Sequence, residues 1–272
     1  MSCTTLQEQI DDKALTLAQG KLLKSRLAYR SRCMSLPSVL KLRREVEELV
    51  PNVTDPMYWL YPDQYGSSQH LKNSLLKEAL QDVELGGWAL SADSINYLAD
   101  FIRKDRPCNI IEFGSGASTL VLLLLSAGCS VRIVSVEQDA KFAKKTFDLL
   151  KKFNLDSYAE IIVSPLREQM RHGKQILQHD FDDIAPQLVD FKADLVLIDG
   201  PCAPPGSRVH VMEELLERNL VADKARFLMD DALRDGELWA ACCWHSLPEV
   251  AVNGIRWVGK GFLDGTVALP AS

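Results

Sequence analysis

Apolar residues recur along this chain with two different periods, and the change between them divides it. Residues 6–34 are polar with Leu15, Ala18, Leu22 and Leu23 near helical spacing, and a second helix is predicted over residues 38–49, closed by Pro51. Residues 51–66 are rich in proline and aromatics (Pro56, Tyr58, Trp59, Tyr61, Pro62, Tyr65), which predicts an ordered loop rather than a flexible linker. From residue 91 the pattern becomes regular. Ser91 is placed to cap a helix through residue 104, with Ile95, Leu98, Phe101 and Ile102 on one face. Strands are predicted at 109–113, 131–136, 160–163, 194–198 and 226–229. Between and after them come an apolar helix to residue 127, a basic amphipathic helix over 140–153, and helices over 209–219 and 237–244. Two short strands, 255–258 and 266–269 around a turn at 259–265, close the chain.

Strands that are apolar along their whole length and alternate with helices argue for a parallel sheet covered on both faces. The last connection is of hairpin length and demands antiparallel pairing. The fold class is therefore α/β: a doubly wound, mostly parallel seven-stranded sheet with a reversed last strand. Residues 1–85 form a helical N-terminal extension with the aromatic segment, and residues 86–272 form the Rossmann-like domain.

Composition adds limits. A chain of 272 residues with 47% hydrophobic and 25% charged residues is ordinary for a globular protein. The net charge of -6 points away from nucleic acid as a partner. Basic stretches at 21–32 and 41–44 read as solvated helix faces, since Glu45, Glu47 and Glu48 follow closely. The seven cysteines show no metal-binding spacing, and their odd number suits free thiols in a reducing cytoplasm. The first twelve residues lack an apolar signal core, and the longest apolar run, around residues 120–125, is too short to span a bilayer. A cytoplasmic protein without a membrane partner is expected.

Chemistry gathers where strands end. In open doubly wound sheets, ligands sit beyond the carboxyl ends of the strands. The first strand ends in Glu112-Phe113-Gly114-Ser115-Gly116, the second in Glu137-Gln138-Asp139, the third in Ser164-Pro165, the fourth in Asp199-Gly200-Pro201, and the fifth in Asp230-Asp231. Glycine at the first turn lets a ligand approach the main chain, and the following helix offers unpaired N–H groups. Glu137 lies about twenty residues on and suits the two hydroxyls of a ribose. A nicotinamide dinucleotide and S-adenosylmethionine both need that group. The dinucleotide fingerprint also needs a third glycine, where Thr119 stands, and its diphosphate would meet Glu112 unfavourably. S-adenosylmethionine carries a cationic amine and a sulfonium instead, which suit carboxylates.

From about residue 86 to residue 271 the chain thus resembles the class I S-adenosylmethionine-dependent methyltransferases. The resemblance implies that Gly114, Ser115 and Gly116 line the cofactor. It places Glu112 near the methionine amine, Glu137 on the ribose, Gln138 beside the adenine and Ser164 at the adenine edge. Residues 86–91, with Trp88, are similar to the cofactor-side lid of small-molecule O-methyltransferases, while a packed core aromatic is the plain alternative for Trp88. Asp199 and the pair Asp230-Asp231 further resemble the metal-ligand segments of catechol-type O-methyltransferases, which implies a divalent cation such as Mg²⁺. Two departures stand out: Asp231 replaces the usual asparagine, and no lysine follows Asp199 closely. Asp199 is the candidate catalytic residue, with His210 as another candidate base. Alternatively, Asp199 touches cofactor or substrate without metal while Asp230 and Asp231 cap the next helix.

His70, His172, His179 and His245 read as surface or packing residues. Arg208 suits either an anionic substrate group or an acidic neighbour such as Glu213. The expected activity is methyl transfer from S-adenosylmethionine to a small-molecule acceptor, at oxygen, with a homodimer contact or lid formed by the N-terminal helices. The alternatives are a dinucleotide-dependent oxidoreductase and a non-catalytic S-adenosylmethionine-binding protein.

Overall fold

The computed structural model describes residues 21, 29, 32–49, 55–61, 66–202 and 206–269. Most of the helix expected over 6–34, and with it the dimer contact assigned to it, lies outside the described residues, as does part of the aromatic segment. The elements are β1 (Cys33–Met34), α1 (Leu36–Leu49), α2 (Ser74–Ala79), α3 (Ala92–Asp105), β2 (Asn109–Phe113), α4 (Ala117–Leu125), β3 (Arg132–Glu137), α5 (Ala140–Lys152) and β4 (Ala159–Val163). Then follow β5 (Leu166–Arg171), β6 (Lys174–His179), α6 (Phe181–Ile184), β7 (Ala193–Ile198), α7 (His210–Glu217), β8 (Val221–Met229), α8 (Asp235–His245), β9 (Val250–Arg256) and β10 (Phe262–Val267).

The main sheet has the order β1-β9-β10-β8-β7-β2-β3-β4. The run from β8 to β4 is parallel, and β10 lies antiparallel between β8 and β9, so the reversed last strand is present. Eight strands stand where seven were expected, because Cys33–Met34 adds an edge by pairing with Arg256 and Ile255. Two residues are too short for any alternation to be seen in the sequence.

Side chains along each central strand alternate between two cores, as the pleat requires. Ile110, Ile133, Leu195, Leu197 and Leu228 face the cluster that holds α3 and the apolar α4. Ile111, Phe113, Val134, Val136, Val196, Ile198, Phe227 and Met229 face the other, shared with Leu36, Val39, Leu42 and Val46 of α1. Helix α1 and Met57, Leu60 and Tyr61 are thus packed into the same apolar cluster as the sheet. Trp257 secures them: it is fully buried, its indole N–H donates to Leu60 O at 3.0 Å, and its backbone N–H donates to Arg32 O at 2.8 Å.

The expected cap is present, with Ser91 Oγ accepting from the Ser94 amide. The stretch 164–193, read as featureless, contains the hairpin β5–β6 instead, with Leu166 opposite His179 and Arg171 opposite Lys174. Its turn is His172-Gly173 with φ of 47° and 72°, the positive pair that matches the twist of a two-residue hairpin. β5 is mostly polar and none of its residues is fully buried, which removed the alternation by which a strand is recognised. The closing strands also begin earlier than expected, at 250 and 262, with a tighter turn between them.

Trp257→Phe removes the donor and leaves Leu60 C=O buried without a partner. It is expected to lower stability by about 1–3 kcal/mol, read from urea unfolding; an unchanged midpoint would show that this bond does not secure residues 55–61.

Candidate functional site at the carboxyl ends of the strands

The turn after β2 and the turn after β7 meet backbone to backbone. A Cβ on Gly114, whose φ is 91°, would lie 3.1 Å from Gly200 N, and one on Gly200 would lie 2.9 Å from Gly114 N. Glycine at 114 is therefore required by close approach as well as by backbone conformation. These two turns form the floor of a cavity of about 290 Å³ whose walls include Ser115, Glu137, Gln138, Phe142, His179, Asp199 and Cys202.

Glu137 ends β3 with both oxygens held. One accepts from the Ser115 amide at 2.9 Å and the Ser115 hydroxyl at 3.2 Å; the other accepts from the Asp139 amide at 3.0 Å. These donors fix the carboxylate at the mouth of the turn while leaving each oxygen further lone pairs for a ligand. Gln138 donates from its side chain to Cys202 O at 2.9 Å, while its Oε1 is buried without a partner. The Ser164 hydroxyl is likewise buried and unpartnered among the described residues.

Glu112 lies deeper than its neighbours. The pleat points it to the α4 side, where it is fully buried beside its register partner Ser135. One oxygen accepts from the Thr119 and Ser135 hydroxyls, each at 2.6 Å; the other has no hydrogen-bond partner within normal distance among the described residues, with the Ser118 hydroxyl nearby. Thr119 Oγ1 in turn accepts from the Gly116 amide at 3.0 Å. The residue at the third-glycine position thus ties the turn to the buried carboxyl, a role that spacing alone did not reveal.

A second cavity of about 340 Å³ adjoins the first, and Trp88, Asp199 and Cys202 line both. Trp88 is 82% exposed, so it is no core aromatic; it stands at the rim, in a loop whose Gly87 O accepts from Lys260. At the base of the second cavity Asp199, Asp230 and Asp231 bring carboxylate oxygens within 4.8 Å of one another. Helix α8 begins only at Asp235, so Asp230 and Asp231 do not cap it.

Arg208 is buried among these acids. It donates to Asp230 O at 2.8 Å and Asp199 O at 2.9 Å, and its charge lies 3.6 Å from Asp231 and 3.5 Å from Glu237. Its partners are the strand-end acids; Glu213 pairs instead with Arg171 and His172. Asp231, at φ 60°, is bound by Arg234 at 2.6 Å and Lys260 at 3.3 Å. Burial, then Asp230, raises Asp199 well above the carboxylate range. Burial, then Asp231, raises Asp230 to about 7, whereas the surrounding cations hold Asp231 low.

His210 is buried and occupied at both nitrogens, with Nδ1 2.6 Å from Ser207 O and Nε2 accepting from the His179 amide at 3.2 Å. Burial lowers its pKa far below the usual value, and neither nitrogen is available as a base. His179 is the group that the sequence reading passed over. It lines the first cavity, and only the unrecognised hairpin brings it there.

No family model matches the chain, and no curated protein matches it either. Solved structures do. The O-methyltransferase from Bacillus cereus, in complex with SAH, superimposes with a TM-score of 0.55 at 17% identity, over 85% of this chain and 99% of that one. TomG, an O-methyltransferase of tomaymycin synthesis from Streptomyces achromogenes in complex with SAM, gives 0.52 at 19% identity, over 73% and 91%. The SAH-bound methyltransferase PaMTH1 from Podospora anserina gives 0.50 at 12% identity, over 99% and 98%.

Glu112 provides a test of the buried arrangement. Burial raises its pKa from 4.5 to about 7. The fold therefore holds a proton that the unfolded chain has released, and stability declines as pH rises through that window. Relative to Glu112→Gln, the wild type is expected to lose about 3 kcal/mol between pH 4.5 and pH 8 in urea unfolding. A pH-independent difference would mean that Glu112 does not titrate there. The chain has the α/β fold of these O-methyltransferases.

Proposed function

We propose that the protein transfers a methyl group from S-adenosylmethionine to a hydroxyl of a small molecule. The observation that carries this reading is the pair of adjoining cavities that share Trp88, Asp199 and Cys202: one is furnished for a nucleoside, the other for an acceptor. Methyl transfer is an in-line displacement at carbon, so donor and nucleophile must face each other across one wall. The printed contents of the neighbours, SAM in one and SAH in two, support the same donor.

In this reading Glu137 accepts the ribose hydroxyls, Gly114, Ser115 and Gly116 border the methionine part, and Gln138 and Ser164 meet the adenine. Glu112 acts from below, its unpartnered oxygen oriented by Thr119 and Ser135 and directed to the cationic amine. Asp199, on the shared wall, takes the proton from the acceptor hydroxyl; burial and the neighbouring Asp230 raise its pKa, which makes its ionised form the stronger base. The six described cysteines are all unpaired, which suits a reducing cytoplasm. Among the described residues no helix is long and apolar enough to cross a membrane.

The aspartates also fit a hard divalent cation such as Mg²⁺. Their donors are all oxygen; Arg208 hydrogen-bonds the main-chain oxygens of Asp199 and Asp230, with its charge 3.8 Å from the Asp199 carboxylate, and Ser94 donates to the Asp230 carboxylate at 3.3 Å. When bound there, such an ion would acidify a hydroxyl of the acceptor.

Calorimetry decides the donor: S-adenosylhomocysteine is expected to bind and NAD is not, and binding of NAD alone would overturn the reading. Glu137→Ala should weaken S-adenosylhomocysteine by about 1–3 kcal/mol through lost charge-assisted hydrogen bonds. Unchanged affinity removes Glu137 from the site. For the cation, metal-stripped protein titrated with Mn²⁺ should show one site that Asp230→Asn weakens roughly tenfold or more. Absence of Mn²⁺ binding at millimolar concentration would exclude a cation at the aspartates.

A further inference from the structure

The hairpin β5–β6 leaves the sheet just after Ser164 and returns at His179, beside the point of departure. The return is tied back by a hydrogen bond of 2.9 Å between His179 Nδ1 and Ser164 O. A carbonyl can only accept, so Nδ1 carries the proton and Nε2 presents a bare lone pair. That nitrogen is buried with no partner among the described residues, in a side chain that lines the first cavity. The ring cannot turn away cheaply. It packs on Phe113 with centroids 5.9 Å apart, and its own backbone N–H is held by His210. Burial lowers the imidazole pKa to about 4, so the ring is neutral at physiological pH.

A fixed, neutral, buried acceptor in a side chain that lines the cavity is suited to a donor on a bound ligand, because an unpaired polar atom costs free energy. S-adenosylmethionine offers three kinds of donor: the amine, the ribose hydroxyls and the amino group on the adenine. In the reading above, Glu112 takes the first and Glu137 the second. Two further unpartnered atoms, Gln138 Oε1 and Ser164 Oγ, belong to the residues assigned to the adenine, and Ser164 is the residue to which His179 is bound.

Resting on that reading of the donor, we infer that His179 Nε2 accepts a hydrogen bond from the exocyclic amino group of the adenine. The β5–β6 hairpin is thereby an insertion that reads the base. Deamination replaces the amino donor with a carbonyl acceptor, which would face the His179 lone pair with no proton between them. Sites built around one hydrogen-bond polarity reject the opposite one strongly.

The test compares S-adenosylhomocysteine with S-inosylhomocysteine by calorimetry. Wild type is expected to prefer the adenine form by roughly tenfold or more. His179→Phe should lose most of that preference, mainly by weaker binding of the adenine form, with its fold checked by thermal melting. Equal binding of both ligands by wild type overturns the inference, and so does an undiminished preference in His179→Phe. Failure of wild type to bind S-adenosylhomocysteine at all would instead strike the donor reading itself. A measurement on wild type stands beside the variant. With ¹⁵N-labelled histidine, the His179 Nε2 resonance is expected at the position of an unprotonated nitrogen and should move upfield with S-adenosylhomocysteine. A resonance unmoved by the ligand overturns the proposal.

Discussion

Four carboxylates, Asp199, Asp230, Asp231 and Glu237, are gathered in or beside the ends of two neighbouring parallel strands, in a region with little access to water. Left alone they would repel one another and pull the strand ends apart. The buried Arg208 guanidinium resolves this by bonding the main-chain oxygens at the ends of β7 and β8 while its charge stands among the acids. Arg234 and Lys260 add their charges, closest to Asp231 at 2.6 and 3.3 Å, and Arg234 also reaches Glu237. The result is uneven, with Asp231 ionised and Asp199 and Asp230 biased toward holding a proton. That asymmetry places Asp199, with its raised pKa, where the two cavities meet.

The opposite side of the site works by a different physical device. Glu137 is held by two backbone amides and a hydroxyl, so its charge is set by neutral dipoles rather than by a counter-ion. A carboxylate satisfied in this way keeps lone pairs for a ligand. Glu112 is its buried counterpart, reached through Thr119, which links it to the Gly116 amide at the end of the turn. One short segment, Glu112 to Thr119, thus contains both the ligand-facing turn and the network beneath it.

Helical segments on both faces stabilise this edge from a distance. The N-terminal elements share an apolar cluster with β7 and β8, and α3 and α4 fill the other face. The loop that bears Trp88 is bound to Lys260, a residue that also touches Asp231. One ammonium group thus bridges the rim loop and the acid cluster.

Much of this was legible in the residues. The continuous apolar strands announced a parallel sheet, the hairpin-length last connection announced the reversed strand, and strand-end glycines and carboxylates picked out the edge where the two cavities lie. These features are legible because local periodicity and turn chemistry act over a few residues. The hairpin that carries His179 was not, since its mostly polar strands lack apolar–polar alternation. The Arg208 partnership was not either, because it joins residues from three segments whose nearness depends on strand order. The chain by itself determined the sheet, its reversed strand and the residues at its edge. Only the tertiary structure decided which carboxylates keep their charge, whether Trp88 is core or rim, and which histidine reaches the cavity. Burial and long-range proximity set those outcomes, and neither is a property of any short stretch of sequence.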